Sequence, residues 1–220
     1  MRHIALLVVL FTQIALPGWS ADLDAVVNRL QETYQAIDDW KASFEQKTYV
    51  ELLKREVKKG GKIQIKKPSK WRIEYSEAGG KQYISNGKEF WIYSPDDEQV
   101  ITHRNLSKVL AREALVFLSG LGNLREDFSV AWYKPEGKGG GPPIDNAHLL
   151  QLTPKRGKSA VAKIVLAVDR YNSRVKEATI FNTSGNVTRY EFKNIVVNSG
   201  LSEGLFTFRR PEGVTVVKGE

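Results

Sequence analysis

Between Asp22 and Asp38 the apolar residues fall at Val26, Val27, Leu30, Tyr34 and Ile37. Spacings of three and four predict an amphipathic helix with one buried stripe. After it the period changes to two, so that Ala42, Phe44 and Gln46 share one face while Ser43, Glu45 and Lys47 share the other. Alternation of this kind predicts strands near 41–53, 56–67, 70–76, 81–86, 89–94 and 98–103, joined by short turns. Gly60-Gly61 interrupts the second run and predicts a bulge or kink. Asn86-Gly87 predicts a tight hairpin of type I′, with positive φ at both central residues. A second helix is expected over Leu106 to Leu121, where Leu106, Val109, Leu110, Ala114, Phe117, Leu118 and Leu121 recur at helical spacing before Gly120 and Gly122 end it. Strands resume near 127–133, 147–153, 161–169, 174–182 and 187–197, with Glu136 to Pro143 as a flexible surface loop. The order helix, strands, helix, strands, with antiparallel connections throughout, predicts a mainly β, α+β fold. Its core is a curved antiparallel sheet whose concave side is covered by helices.

The first twenty residues read differently from the rest. Arg2 and His3 precede an apolar stretch, Ile4 to Leu16, broken only by Thr12 and Gln13 and ended by Pro17 and Gly18. A run of about thirteen apolar residues suits the core of a signal peptide and is short for a membrane-spanning helix. We expect residues 1–20 to be a cleavable leader and 21–220 to form a single domain. Cleavage after Ser20 puts Gly18 at position −3, whereas cleavage after Ala21 puts bulky Trp19 there. The first fits the preference for small residues better, and both bonds remain open. No second apolar run reaches transmembrane length, so the exported domain is expected to be soluble and to bury its own core.

Composition then narrows the chemistry. The absence of cysteine excludes disulfides, thiolate metal sites, thiol nucleophiles and an amino-terminal lipidated cysteine. The net charge of +8 concentrates in Lys54, Arg55, Lys58, Lys59, Lys62, Lys66, Lys67, Lys70 and Arg72, interleaved with Ile63, Ile65, Trp71 and Ile73. On strands this alternation places charge on one face and apolar groups on the other. The basic face is a solvated outer surface, or it leans on anionic lipid headgroups or an acidic partner; nucleic acid is not an expected partner of an exported chain.

Catalytic groups in company are scarce. His103 and His148 are far apart in sequence, neither sits in a metal-binding spacing, and both are expected at the surface or in turns. No Gly-x-Ser-x-Gly elbow or phosphate-binding glycine loop is present, and Asp96, Asp97 and Glu98 follow Pro95 as a solvated turn. The sequence therefore predicts no enzyme, no metal and no cofactor. Aromatic residues are the richer material, spread over almost every element from Tyr34 to Phe192. They fill an ordinary core, or in a covered half-barrel they share its interior with a ligand.

Several segments carry a family resemblance. Leu30-Gln31-x-x-Tyr34-x-x-Ile37, Ala42-Ser43-Phe44-x-Gln46, Lys66-Lys67-Pro68-x-Lys70-x-Arg72-x-Glu74-Tyr75 and Ser85-Asn86-Gly87-Lys88-x-x-Trp91-x-Tyr93 resemble the outer-membrane lipoprotein carrier family, LolA. So do Leu152-x-Pro154-Lys155, Asp169 and the closing Phe206-x-Phe208-x-x-Pro211-x-Gly213-Val214, so the resemblance runs in order along the exported chain. It implies an open antiparallel β half-barrel with an α-helical lid over a hydrophobic cavity. It also implies a periplasmic chaperone that takes triacylated lipoproteins from an inner-membrane ABC transporter of the LolCDE type and passes them to an outer-membrane receptor of the LolB type where one is present. Such a carrier acts as a monomer. Matched position by position, Phe44, Ile65, Trp71, Ile73 and Trp91 fall on the cavity lining, and Leu110, Ala114, Phe117 and Leu118 on the lid. Trp71, three residues after Pro68, also falls where the family presents an exposed aromatic to the transporter. An arginine that latches the family's lid is replaced by Lys67, whose point charge on a flexible stem predicts a looser latch.

Two further readings stand beside this one. A LolA-like carrier or sensor for another periplasmic lipid, such as a glycolipid, fits the same half-barrel, although the sensors carry a further domain for which this chain has no room. An enzyme on the same fold lacks its catalytic groups. The receptor of the pathway is anchored through a lipidated cysteine, so a chain with a leader and no cysteine is expected to be the mobile partner.

Overall fold

The computed structural model describes residues 22–104, 124–135, 144–155 and 159–219. The expected leader, the expected helix over 106–121 with Leu110, Ala114, Phe117 and Leu118, and the expected loop over 136–143 lie outside the described residues.

The first helix, α1, spans Leu23–Gln35. The Asp22 carboxylate caps it by accepting from the Asp24 N–H at 3.2 Å, and Val27, Leu30 and Tyr34 form its buried stripe. Six strands follow: β1 Asp39–Val50, β2 Arg55–Lys66, β3 Lys70–Tyr75, β4 Gln82–Asn86, β5 Phe90–Ser94 and β6 Gln99–His103. A four-residue helix, α2 Leu124–Asp127, leads into β7 Phe128–Trp132, β8 Ala147–Pro154, β9 Val161–Asp169, β10 Val175–Asn182 and β11 Val187–Val197. The chain closes with a 3-10 turn over Glu203–Phe206 and the short strand β12 Thr215–Lys218.

All the strands belong to one open sheet ordered β12-β6-β5-β4-β3-β2-β1-β11-β10-β9-β8-β7. Neighbouring strands pair antiparallel except at one edge, where β12 runs parallel to β6. The expectation of antiparallel pairing throughout is corrected at that edge. The four residues of β12 are exposed and pair through the backbone, so no alternation marks them in the sequence.

Two turn details also differ from expectation. Gly60 and Gly61 sit in unbroken register opposite Glu45 and Phe44, so there is no bulge. Gly61 instead makes room for a ring: a Cβ there would lie 2.6 Å from Phe44 Cζ and 2.3 Å from the Glu74 carbonyl. At the β4–β5 hairpin only Gly87 takes positive φ, at 90°, and Asn86 does not. Glycine at the first central position marks a II′-like turn in place of I′. The Asn86 side chain serves the loop by accepting from the Lys88 and Glu89 N–H groups at 2.9 and 2.8 Å.

The α1–β1 junction is locked by the loop after β11. Asp39 is buried, and its carboxylate accepts from the backbone N–H groups of Ser199 and Gly200 at 2.9 Å and Leu201 at 3.1 Å. Burial alone raises a carboxyl pKa. Here the donors from Leu201, Ser199 and Gly200 outweigh burial and hold the Asp39 carboxyl below the usual carboxylate range. Asn198 adds a bond to each side of the junction, accepting from the Asp38 N–H at 2.8 Å and donating to the Ala36 carbonyl at 3.2 Å.

Candidate functional site

Strand register defines an inner face toward α1 and an outer face away from it. One row across the inner face runs Trp40, Ile65, Trp71, Ser85, Phe90, His103. The next runs Ala42, Ile63, Ile73, Tyr83, Ile92, Ile101, and a third runs Phe192, Phe44, Gly61, Tyr75. Beyond β11 the face continues with Ala178, Leu166, Leu150 and Trp132 in one row and Ile180, Ile164, Leu152 and Val130 in another. Together with Val27, Leu30, Tyr34 and Ile37 the apolar side chains of these rows, Ile101 excepted, form one cluster. Burial grades across it. Trp40, Ile65, Trp71 and Phe90 are closed off, whereas Ile73, Tyr75, Tyr83 and Ile92 on one wing and Val130, Trp132, Ile180 and Tyr190 on the other are half-buried. The accessible part of these rows is thus largely apolar and aromatic.

Helix α1 is fastened to both wings at its carboxyl end. Lys67, just after β2, donates from Nζ to the Tyr34 carbonyl at 2.5 Å and the Gln35 carbonyl at 2.9 Å. These are carbonyls of the last helical turn, which lack partners within the helix and carry its negative dipole end. From the other wing, the Val175 N–H at the start of β10 donates to the Tyr34 hydroxyl at 3.2 Å. Burial pushes the Tyr34 hydroxyl up to about 12, so it stays neutral. At the amino end Arg125 of α2 pairs with Asp24 at 2.6 Å. Among the described residues these polar bonds hold the helix on an otherwise greasy face.

A short polar chain crosses the inner face at the far end of β1. The Tyr75 hydroxyl donates to Gln46 Oε1 at 2.7 Å, Gln46 Nε2 donates to Thr48 Oγ1 at 3.0 Å, and Thr48 meets Thr188 at 3.2 Å. Burial raises the Tyr75 pKa, with Tyr190 and Tyr83 adding to it, and burial likewise raises that of Tyr190. Both phenols remain protonated hydrogen-bonding groups, unsuited to act as bases. The Lys59 ammonium sits 5.2 Å from the Tyr75 ring centroid and pairs with Glu77 at 2.7 Å.

Four of the five predicted lining residues stand together on the inner face: Phe44, Ile65, Trp71 and Ile73. Trp91 is corrected. It stands on the outer face opposite Ile84, and its ring meets Phe208 of the carboxyl-terminal segment at 6.4 Å. Its neighbour Phe90 is the inward residue, packed 5.0 Å from the Trp71 ring. The transporter-contact assignment for Trp71 meets a side chain only 2% exposed. The basic outer face carries its own counter-charges: Glu203 pairs with Lys66 and Lys70, and Glu74 with Arg72. His103 and His148 are partly buried strand residues rather than turn residues, His103 stacked on Phe90 and His148 against Trp132. Burial, then the charges of Arg170 and Arg29, hold His148 below the ordinary histidine range. Among the described residues no cluster of three histidine or carboxylate side chains is placed to hold a metal. The half-buried Tyr83, Ile92, Trp132 and Tyr190 were not predicted as lining; alternation within each strand marks them once one inward residue is known.

An open sheet with an apolar inner face crossed by an amphipathic helix has the architecture of a binding fold. The family model for "Outer membrane lipoprotein carrier protein LolA" matches residues 35–209, and the chain belongs to that family. It is 30% identical over 191 residues to an outer-membrane lipoprotein carrier protein of Legionella pneumophila, covering 86% of this chain and 88% of the relative. It is 28% identical over 199 residues to one from Pseudomonas aeruginosa, covering 90% of each. Among solved structures, an uncharacterized conserved protein from Thermus thermophilus shares the fold at a TM-score of 0.56 and 12% identity, over 89% of this chain and 98% of that one. No helix among the described residues is long and apolar enough to cross a membrane.

Proposed function

We propose that this chain is a periplasmic chaperone that shields the acyl chains of lipoproteins released from the inner membrane and carries them to the outer membrane. The observation that supports it best is the continuous apolar inner face, half-buried on both wings and covered by a helix held at its carboxyl end by Lys67 and the Tyr34–Val175 bond. A methylene transferred from water is worth about 0.8 kcal/mol, so three acyl chains in water cost on the order of 30 kcal/mol. A carrier must cover that surface and still release it, which adaptable apolar contact permits and a tight polar lock does not. Helix α1, and with it the predicted 106–121 lid, is the element to be displaced on loading.

The partners of this reading are triacylated lipoproteins, a LolCDE-like transporter that loads the carrier, and a LolB-like receptor where one exists. Lys67 acts as the latch on α1, with no cofactor or metal involved. Native mass spectrometry of protein drawn gently from the periplasm tests the proposal directly. The expected mass increment is that of a triacylated lipoprotein, and depletion of the protein is expected to leave lipoproteins in the inner membrane. A glycolipid or phospholipid increment in its place assigns the same face to another lipid, and an unliganded protein with unaltered lipoprotein sorting on depletion overturns the reading.

A further inference from the structure

Strands β1 and β2 meet in a 3-10 turn over Glu51–Leu53. Leu52 is 90% exposed and Leu53 55%, with Tyr49 beside them also exposed. This is not a slack loop. The Glu51 N–H donates to the Asn186 side chain at 2.9 Å, and the Glu51 side chain packs over Gly185, where a Cβ would lie 2.8 Å from its Cγ. Lys54 closes the turn in the left-handed region at φ 48°, donating its N–H to the Glu51 carbonyl at 3.3 Å and pairing with the Glu51 carboxylate. The tip is therefore pinned against the neighbouring β10–β11 turn, and the two leucines are held in water by built structure. A polar turn would serve the hairpin equally well, so an exposed apolar apex on a defined turn marks a contact surface.

The surroundings identify the kind of surface. From Lys47 to Lys59 the hairpin carries five cations against two carboxylates. Lys47, Lys54, Arg55 and Lys58 are exposed, and among the described residues Lys47 and Arg55 make no ion pair. Further along the sheet Lys66 and Lys70 share the single Glu203 carboxylate, and at this end Lys47 and Arg55 add an excess of positive charge. The apex is convex, with adjacent leucines at its point and ammonium and guanidinium groups one step behind. An anionic leaflet takes that shape, the leucines entering the acyl boundary and the cations resting at the phosphates. We propose that the β1–β2 tip docks this chain on anionic phospholipid bilayers, holding it at the membrane while cargo is exchanged. Inner-face positions Phe44, Gln46 and Thr48 lie on the strand that leads to the tip, so docking turns toward the bilayer the end of the inner face where the Tyr75–Gln46–Thr48 chain crosses.

The chain's lack of cysteine makes the test clean. A Leu52→Cys variant of the exported chain, labelled with an environment-sensitive fluorophore, is mixed without cargo with vesicles of phosphatidylglycerol and phosphatidylethanolamine, or of phosphatidylcholine. The expected result is a blue-shifted, brighter label with the anionic vesicles only, reversed by high salt. Co-sedimentation of unlabelled protein is expected to weaken at least roughly tenfold in Leu52→Glu/Leu53→Glu and several-fold in Lys54→Glu/Arg55→Glu, since each cation near an anionic leaflet contributes measurably. Tyr171→Glu, at an aromatic 84% exposed elsewhere, is expected to change nothing. Wild-type protein that fails to bind anionic vesicles overturns the proposal, as does unchanged binding by Leu52→Glu/Leu53→Glu. A label that responds to native inner-membrane vesicles but not to protein-free ones overturns it in favour of a protein pocket. Cargo loading measured on the same variants separates the two readings: retained loading with lost vesicle binding supports the tip, and absent loading in wild type counts against the carrier alone.

Discussion

At the scale of the residue, small differences in reach decide what the fold tolerates. Gly61→Ala is expected to destabilise the domain by about 1–3 kcal/mol in urea unfolding, because the new methyl meets the Glu74 carbonyl and the Phe44 ring together. Gly60→Ala, whose Cβ meets only the Phe44 carbonyl at 3.5 Å, is expected to stay within about 1 kcal/mol of wild type. Lys67→Ala removes a charged donor from two helix-end carbonyls and is expected to loosen α1 by roughly 1–2 kcal/mol. Faster hydrogen exchange in the last turn of α1 and altered acyl affinity check this. Unchanged exchange together with unchanged affinity removes Lys67 from the mechanism. Asp39 gives a pH dependence of definite sign. Its carboxyl is held below the unfolded value of about 3.9, so the unfolded chain takes up the proton first. The stability it contributes is present at neutral pH and is lost as pH falls through the folded-state pKa. Asp39→Asn is expected to lower stability at neutral pH by about 1–3 kcal/mol and to flatten acid unfolding below about pH 4, followed by thermal melts across pH.

Elements convert single-residue registers into faces. Trp91 and Phe90 differ by one position, and one position in a strand is the whole difference between lining and outer surface. Replacing Tyr83 and Ile92 together by alanine is expected to weaken acyl binding by about 1–3 kcal/mol, as lost apolar contact on the half-buried wing. Trp91→Ala is expected to leave binding unchanged and to lower stability through its lost packing on Phe208, so paired binding and melting measurements separate the two faces. Element existence was legible in the sequence: the predicted strands over 41–103 and 127–197 coincide with β1 to β11 within a few residues at most. The β4–β5 face assignment was not, because it depends on how many residues the hairpin consumes. Asn86-Gly87 signals a turn without specifying its type, and a loop over 86–89 with Gly87 alone at positive φ sets Ser85 against Phe90.

For the whole molecule, the relation of α1 to the two wings is what couples stability to loading. The helix sits on the surface that acyl chains would occupy, with Tyr34 tied to one wing and its terminal carbonyls to the other. A ligand that binds only the folded state at a hundredfold excess over its dissociation constant adds about 2.7 kcal/mol. For a domain of this size a soluble triacylated lipopeptide is therefore expected to raise the melting temperature by roughly 5–10 °C. No shift under saturating lipopeptide speaks against the inner face as an acyl site.

The sequence by itself determined the amphipathic first helix, nearly every strand and the family, because periodicity and turn residues are local and survive in a linear reading. The family resemblance placed Phe44, Ile65, Trp71 and Ile73 on the lining, and the register of three strands stands them on one face. Only the tertiary structure decided the rest. The parallel β12 edge, the seating of Phe44 on Gly61 and the burial of Trp71 depend on which strands meet across the sheet. The Asp39 nest and the Lys67 latch join residues brought together by folding. The exposure of Leu52 and Leu53 belongs with these. The predicted strand over 41–53 takes in both leucines, and they stand in water on a turn held by Asn186, well over a hundred residues away in the chain.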